Sequence, residues 1–423
     1  MDERFTRRAL TGMTTTGLLS VLGSACQPTP RGAGGTAPVA DTSPIKIGTL
    51  FDYTGDLASY GGPIRNGTEL AAKHLNDAGG LLGGRKIQLV HKDSQTSPQP
   101  AVEAARALVN VDKVPAIVGS LASSVTLAVA EAVTIPNRVV LISPASTSPA
   151  LTALNDQDYV FRTPPSDALQ GVILAKVAWE QGFRKAAVLY VNNPYGQGLN
   201  NVFKREFEKR GGQVTASVPH EQVQPSYEAE LRRAADGKPD VLVCVSYPDS
   251  ASIYLRQAIE GKYFDKFLFT DGTKAPEIIQ KVGAQYLNGM YGTAPGSADT
   301  EWKKVFNEAY RSQFGELPPK PYIAEAYDAL VLIGLAIQKA GRADGTAIRD
   351  NLRFVANEPG EKVGPGLEGI RKALDLLRQG RDIHYQGASG IVGFDDKGDP
   401  TTGAIEVWKI ENGQIVTVRT ETL

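Results

Sequence analysis

Residues 119–152 read GSLASSVTLAVAEAVTIPNRVVLISPASTSPALT, and their pattern decides the fold. Just upstream, residues 114–118 (VPAIV) are short, apolar and β-branched, the composition of a strand buried on both faces. That strand empties into Ser123-Ser124 and Thr126, which open a helical pattern over 127–133. Pro136 and Asn137 stop the helix, and residues 139–142 make the next strand. It runs in turn into a second polar loop, residues 143–148 (SPASTS). Consecutive strand–loop–helix units predict a parallel sheet, whose ligands sit beyond the carboxyl ends of the strands. Two such loops rich in hydroxyls and free N–H groups suit a small carboxylate. The same Ser and Thr residues equally suit plain helix capping. The stretch therefore marks a candidate site without fixing a function.

The alternation extends in both directions. Residues 45–51 read as a strand broken at Tyr53-Thr54-Gly55-Asp56, and Pro63 is expected to open a helix that buries Ile64, Leu70, Ala71 and Leu75 on one face. GGLLGG (79–84) ends it; a strand at 87–90 and a helix at 98–111 lead into the opening stretch. Residues 158–163 with Pro164-Pro165 read as an extended crossing to a second lobe. There, helices at 167–181, 198–210, 227–235 and 250–260 alternate with strands at 186–191, 214–218, 240–246 and 266–270. Residues 291–296 read as a second crossing, and helices near 299–314, 322–340, 344–354 and 366–379 return to the first lobe. Strands at 405–410 and 414–418 flank Asn412-Gly413, a hairpin signal. The expected architecture is α/β, with two doubly wound parallel-sheet lobes.

Bulk properties agree. With 423 residues the chain exceeds one ordinary core, which predicts two lobes. A formal net charge of −1 without a basic stripe gives no footprint for nucleic acid. Residues 1–25 are expected to be an export signal: Arg4, Arg7 and Arg8 precede a weakly apolar run. TRRAL (6–10) resembles a twin-arginine signal, and LGSAC (22–26) resembles a lipobox, which implies a lipid on Cys26. Residues 26–44 are then a Pro/Gly/Ala/Thr tether with a reach of roughly 25 Å. Cys26 and Cys244 are the two cysteines. Cys244 sits in an apolar strand and reads as a small buried hydrophobe, not half of a disulfide framework.

Several patterns fail as catalytic motifs. GPGLEG (364–369) fits G-x-G-x-x-G, yet no strand precedes it and Pro365 interrupts it. His74, His91, His220 and His384 lack metal-ligand spacing, so neither a metal nor a cofactor is expected. No G-x-S-x-G elbow occurs, which argues against one class of hydrolase.

The pieces TGDLASYG (54–61), GSLASSVT (119–126), ISPASTSPALT (142–152), NNPYGQG (192–198), LRQA (255–258) and AYDAL (326–330) together resemble type I periplasmic binding proteins of ABC importers. The likeness is to the leucine/isoleucine/valine-binding branch, and it spans residues 45–418. It implies a three-crossover hinge, with one lobe at 43–164 and 293–392 and the other at 165–292 and 393–423. It implies a monomer that takes a small amino acid between its lobes, serves ABC permease subunits outside the cytoplasm, and touches the membrane through lipid alone. Matched residue by residue, Ser123 and Thr147 hold the ligand carboxylate beside the backbone of Ala145. Asp271 takes the ammonium, Tyr247 closes over the same groups, and Tyr60, Tyr195 and Tyr322 line the pocket. Two departures stand out. Thr96 and Ala122 occupy the positions of a disulfide that well-known members carry, and Asp271 stands where branched-chain binders have Glu. The shorter acid leaves open a rival ligand, such as urea, an amide or an aromatic acid. A sensor role and an enzyme are the further rivals.

Overall fold

In the computed structural model the described residues are 41–297 and 299–422. The expected export signal, Cys26 and most of the expected tether lie outside them. The first sheet has five parallel strands in the order β2-β1-β3-β4-β5. These are β1 (Ile45–Phe51), β2 (Ile87–Asp93), β3 (Ala116–Gly119), β4 (Val140–Ser143) and β5 (Val160–Arg162). Residues 160–162, read from the sequence as part of a crossing, thus pair with β4 as an edge strand. The helix Ala58–Asp77 starts before Pro63, which lies inside it. Pro63 is the sixth helical residue, and the Ser59 carbonyl that its missing N–H would have met accepts from Lys320 Nζ instead.

The second sheet has seven strands, ordered β15-β14-β10-β9-β8-β6-β7. They are β6 (Lys185–Val191), β7 (Gln213–His220), β8 (Val241–Val245), β9 (Phe267–Phe269), β10 (Tyr291–Gly296), β14 (Ala404–Glu411) and β15 (Gln414–Thr422). β6 to β10 run parallel, whereas β14 and β15 add an antiparallel edge. Residues 293–296, assigned from the sequence to the first lobe, belong to β10 and pair with β14 in the second. The crossing follows Gly296. Three short strands escaped the sequence pattern: β11 (Glu361–Val363), β12 (Ile383–Gly387) and β13 (Gly390–Ile391). A buried carboxylate holds the β12–β13 turn, since Asp328 accepts from Ala388 N at 2.9 Å, Ser389 N at 2.8 Å and Tyr385 Oη at 2.7 Å.

The helix Ile323–Ala340 is buried on nearly every face and packs on Ala58–Asp77, β3 and β4, so the returning segment completes the first lobe. The chain passes between the lobes at 163–166, after Gly296 and at 392–403. Arg162 ties the first passage to the third: its guanidinium grips Asp399 with both prongs, at 2.7 and 2.6 Å. The lobes are shut on each other. Asp56 of the first lobe accepts from Ser250 N at 2.9 Å and Ser250 Oγ at 2.5 Å, and so caps the helix Pro248–Glu260 of the second. A carboxylate suits that position because first-turn N–H groups lack helical partners.

Candidate functional site

Strand order locates the cleft. In the first sheet the order reverses between β1 and β3, and in the second between β6 and β8. Loops diverge at such points and leave a crevice at the strand ends. The loops after β1 and β3 lead to Tyr60 and Ser123, and those after β6 and β8 carry Tyr195 and Tyr247. Gly119 ends β3 at φ +145°, and a Cβ there would lie 2.5 Å from the Leu50 carbonyl oxygen. Only glycine lets the two strands end side by side at the crevice.

Asp271 is the centre of the cluster. It opens a 3₁₀ turn just beyond β9, and Thr270 and Thr273 bond each other's backbone to set that turn. Its Oδ1 accepts from Gln170 Nε2 and from Tyr195 Oη, both at 2.8 Å. Its Oδ2 accepts from Tyr322 Oη at 2.5 Å across the cleft. Tyr322 holds φ +78°, an uncommon region for a bulky residue, directly before its helix. The Tyr60 hydroxyl lies 3.0 Å from the Asp271 carbonyl oxygen and 3.1 Å from that of Lys274. Tyr195 and Tyr247 stack at 5.6 Å, and Tyr247 Oη accepts from Asn193 Nδ2 at 3.1 Å.

A second acid lies close by. Asp167, fully buried at the start of the helix Asp167–Glu180, has no hydrogen bond to either carboxylate oxygen among the described residues. Burial pushes its pKa well above the usual carboxylate range, and the Asp271 charge pushes it further, against the Thr147 hydroxyl and Arg162. Burial also raises Asp271, while Tyr322, Tyr195 and Gln170 pull it back. Among the described residues neither acid has a cation at ion-pair distance; Arg162 is committed to Asp399. Two buried carboxyls without a counter-charge create a strong local demand for a cation.

Seven of the eight residues singled out from the sequence line one cavity: Tyr60, Ser123, Ala145, Tyr195, Tyr247, Asp271 and Tyr322. Thr147 is fully buried beside Asp167, its hydroxyl without a well-formed bond. The capping alternative fails for Ser123, because its helix is preceded by Ala122 and no side chain caps it. Ser123 Oγ instead accepts weakly from Ser148 N at 3.3 Å. Thr126 is structural, bonded to Ser146 Oγ at 2.7 Å. At the missing disulfide, Thr96 Oγ1 accepts from Leu57 N at 3.2 Å. The free volume is about 20 Å³, room for roughly one water. Anything larger enters only when the lobes part. The sequence reading missed Asp167 and Gln170. Their signal was an acid and an amide three apart in the first turn after the Pro164-Pro165 crossing.

Two α/β lobes with a polar cleft at the carboxyl ends of both sheets define a hinged binding protein. A profile of the family described as Periplasmic binding protein matches residues 44–413, and the chain belongs to that family. The chemotactic signal transduction system substrate-binding protein BasB of Halobacterium salinarum is 27% identical, over 85% of this chain and 86% of its own. The leucine-, isoleucine-, valine-, threonine-, and alanine-binding protein of Pseudomonas aeruginosa is 27% identical, over 85% and 87%. The leucine binding protein LivK of Thermotoga maritima shares the fold at TM-score 0.76 and 27% identity, covering 89% of this chain and 98% of that structure. The family is one of solute-binding proteins, and membership implies an exported, periplasmic location.

Proposed function

We propose that this chain captures a small neutral or branched-chain α-amino acid between its lobes and delivers it to the permease subunits of an ABC importer. The observation that carries this reading is Asp271, buried without a cation among the described residues and lining one cavity with Ser123, Ala145 and four tyrosines, with a second unpaired acid, Asp167, buried nearby. A zwitterion leaving water needs an anion at one end and donors at the other. Asp271, with Asp167 behind it, would take the ammonium. Ser123, Thr147 and the Ala145 N–H would take the carboxylate, and Tyr60, Tyr195, Tyr247 and Tyr322 would seal the site. A lipid on Cys26 would hold the protein at the membrane, where the permease reads the closed form.

A thermal-shift panel of amino acids, amides, urea and aromatic acids tests this. At 100 times its dissociation constant the true ligand stabilises the fold by about 2.7 kcal/mol. At least one neutral L-amino acid should raise the melting temperature, and its D-enantiomer should not. A response confined to urea, amides or aromatic acids would overturn the ammonium assignment. A sensor role has support from the halobacterial relative, a chemotactic signal-transduction protein. Ligand uptake into cells that is lost when this chain is deleted decides for import.

The carboxylate end has its own test. Ser123→Ala with Thr147→Val should remove two charge-assisted bonds, about 1.5–3 kcal/mol each before non-additivity. Neither hydroxyl caps a helix, so the ligand-free melting temperature should change little. Unchanged affinity with a large loss of stability would place both residues outside ligand recognition.

A further inference from the structure

The cleft is not the roomiest cavity in the molecule. A space of about 390 Å³ is walled by all three passages between the lobes at once. Thr163 and Pro165 come from the first, Ser297 and Thr300 from the second, Thr402 and Gly403 from the third. The first lobe completes the wall with Trp302 and Glu325, and Glu325 is the only charged residue lining it among the described residues. Glu325 is 6% exposed and lies in the first turn of the helix Ile323–Ala340. Its backbone carbonyl accepts from Thr163 Oγ1 at 3.0 Å, which ties the first passage to it. Among the described residues its carboxyl receives no hydrogen bond from another residue and forms no ion pair.

Lysines line a neighbouring cavity, which shares Gly296, Ser297, Glu325 and Ser389 with this one. Lys274 is paired with Glu406, Lys320 with Glu277, and Lys303 donates to the Ser297 carbonyl oxygen at 3.3 Å. None of the three lines the hinge cavity. An acid and an indole as the distinctive groups of an otherwise neutral wall match the chemistry of an amine, which gains from a carboxylate and from an aromatic face.

We infer that this hinge cavity is a second ligand site, for a small organic cation bearing a primary ammonium, and that its occupant biases lobe closure. The ammonium meets Glu325 and its apolar stem lies against Trp302. Lobe closure changes the backbone of the three passages, so an occupant touching all three cannot bind the open and closed forms equally. Burial pushes Glu325 up to about 7, opposed by Lys303 and Lys274 and aided by Asp328. The cation prefers the ionised acid, so its affinity should fall as pH drops through that value.

Ethylammonium chloride, titrated calorimetrically into the full chain with sodium chloride as control, tests the site. Wild type and Asp271→Asn, whose cleft is disabled, should both bind saturably. Glu325→Gln should bind about ten-fold or more weakly, a difference of roughly 1.4 kcal/mol. Thr402→Trp should do the same by filling the cavity from an exposed rim position, with the buried acid untouched. Small-angle scattering should show ethylammonium changing the radius of gyration of wild type and not of Glu325→Gln. Binding lost in Asp271→Asn but kept in Glu325→Gln would put the amine in the cleft and overturn the site. So would equal responses in all four proteins, or no saturable heat in wild type. Binding with an unchanged radius of gyration would overturn the coupling to closure.

Discussion

Asp271→Asn should abolish binding of whichever amino acid stabilises the protein most, and leave the ligand-free fold intact. The substitution keeps the size and one acceptor oxygen for Gln170 and Tyr195, turns the amide NH2 toward the Tyr322 hydroxyl as a donor, and removes the charge. A ligand ammonium buried beside it would then face only Asp167. Losing one partner of a buried ion pair costs about 3 kcal/mol or more, roughly a hundred-fold or more in Kd. Ligand-free stability should move the other way. Both carboxyls are raised above their unfolded range, so the pair favours folding at acid pH. That contribution is lost as pH rises through the raised values. Asp271→Asn relieves the repulsion, so its melting temperature at neutral pH should equal or exceed that of wild type. In the native protein, a bound ammonium supplies the missing charge, and ligand stabilisation should therefore grow with pH. Calorimetry and melting curves on the variant check both statements. Affinity within a few-fold of wild type would sink the ammonium assignment.

Arg162→Met should be among the most destabilising single changes in the chain. Arg162 is 1% exposed, and its guanidinium bonds Asp399 twice, the Ser148 carbonyl oxygen at 2.9 Å and Thr152 Oγ1 at 2.7 Å. Methionine fills part of the space and leaves Asp399, at 14% side-chain exposure, without its cation. An orphaned buried charge of this kind costs about 3–5 kcal/mol. Chemical denaturation should show the midpoint falling with an unchanged slope. Arg162→Met with Asp399→Leu should recover much of the loss, because neither charge then remains unpaired. A single-variant cost under about 1 kcal/mol would mean that the hinge is not anchored through this pair.

The strand and helix pattern was legible because each element is coded by local periodicity. Residues 45–51 form a short run that buries at every position but Lys46, as an interior strand does, and Asn412-Gly413 took the two left-handed positions, φ +52° and +75°, that their hairpin turn requires. The short strands β11 to β13 were not legible. Their two to five residues carry too little periodicity, and they exist as strands because the Asp328 carboxylate and the neighbouring helices hold them. Residues 291–296 looked like a passage between lobes because nothing local says which sheet a strand will join. Pairing with β14, more than 100 positions away, decided it.

The candidate site divides along the same line. Hydroxyl loops at strand ends, the tyrosines and Asp271 could be singled out by residue type and by likeness to known motifs, since crevice loops follow from strand order. Whether Ser123 is a cap or a cleft residue was a matter of helix start, which local sequence leaves ambiguous by a residue or two. Tyr60 and Asp271 meet across 211 residues, and Gln170 meets Asp271 across 101. That Asp167 and Asp271, 104 positions apart, are both buried near one another without a counter-ion is set by how the helix Asp167–Glu180 packs against the turn after β9. The sequence by itself determined two α/β lobes and the residue types at their strand ends, because periodicity and turn chemistry act over a few residues. Tertiary structure alone decided which of those residues share a charge environment, because burial and electrostatics depend on distances in space that chain separation does not set.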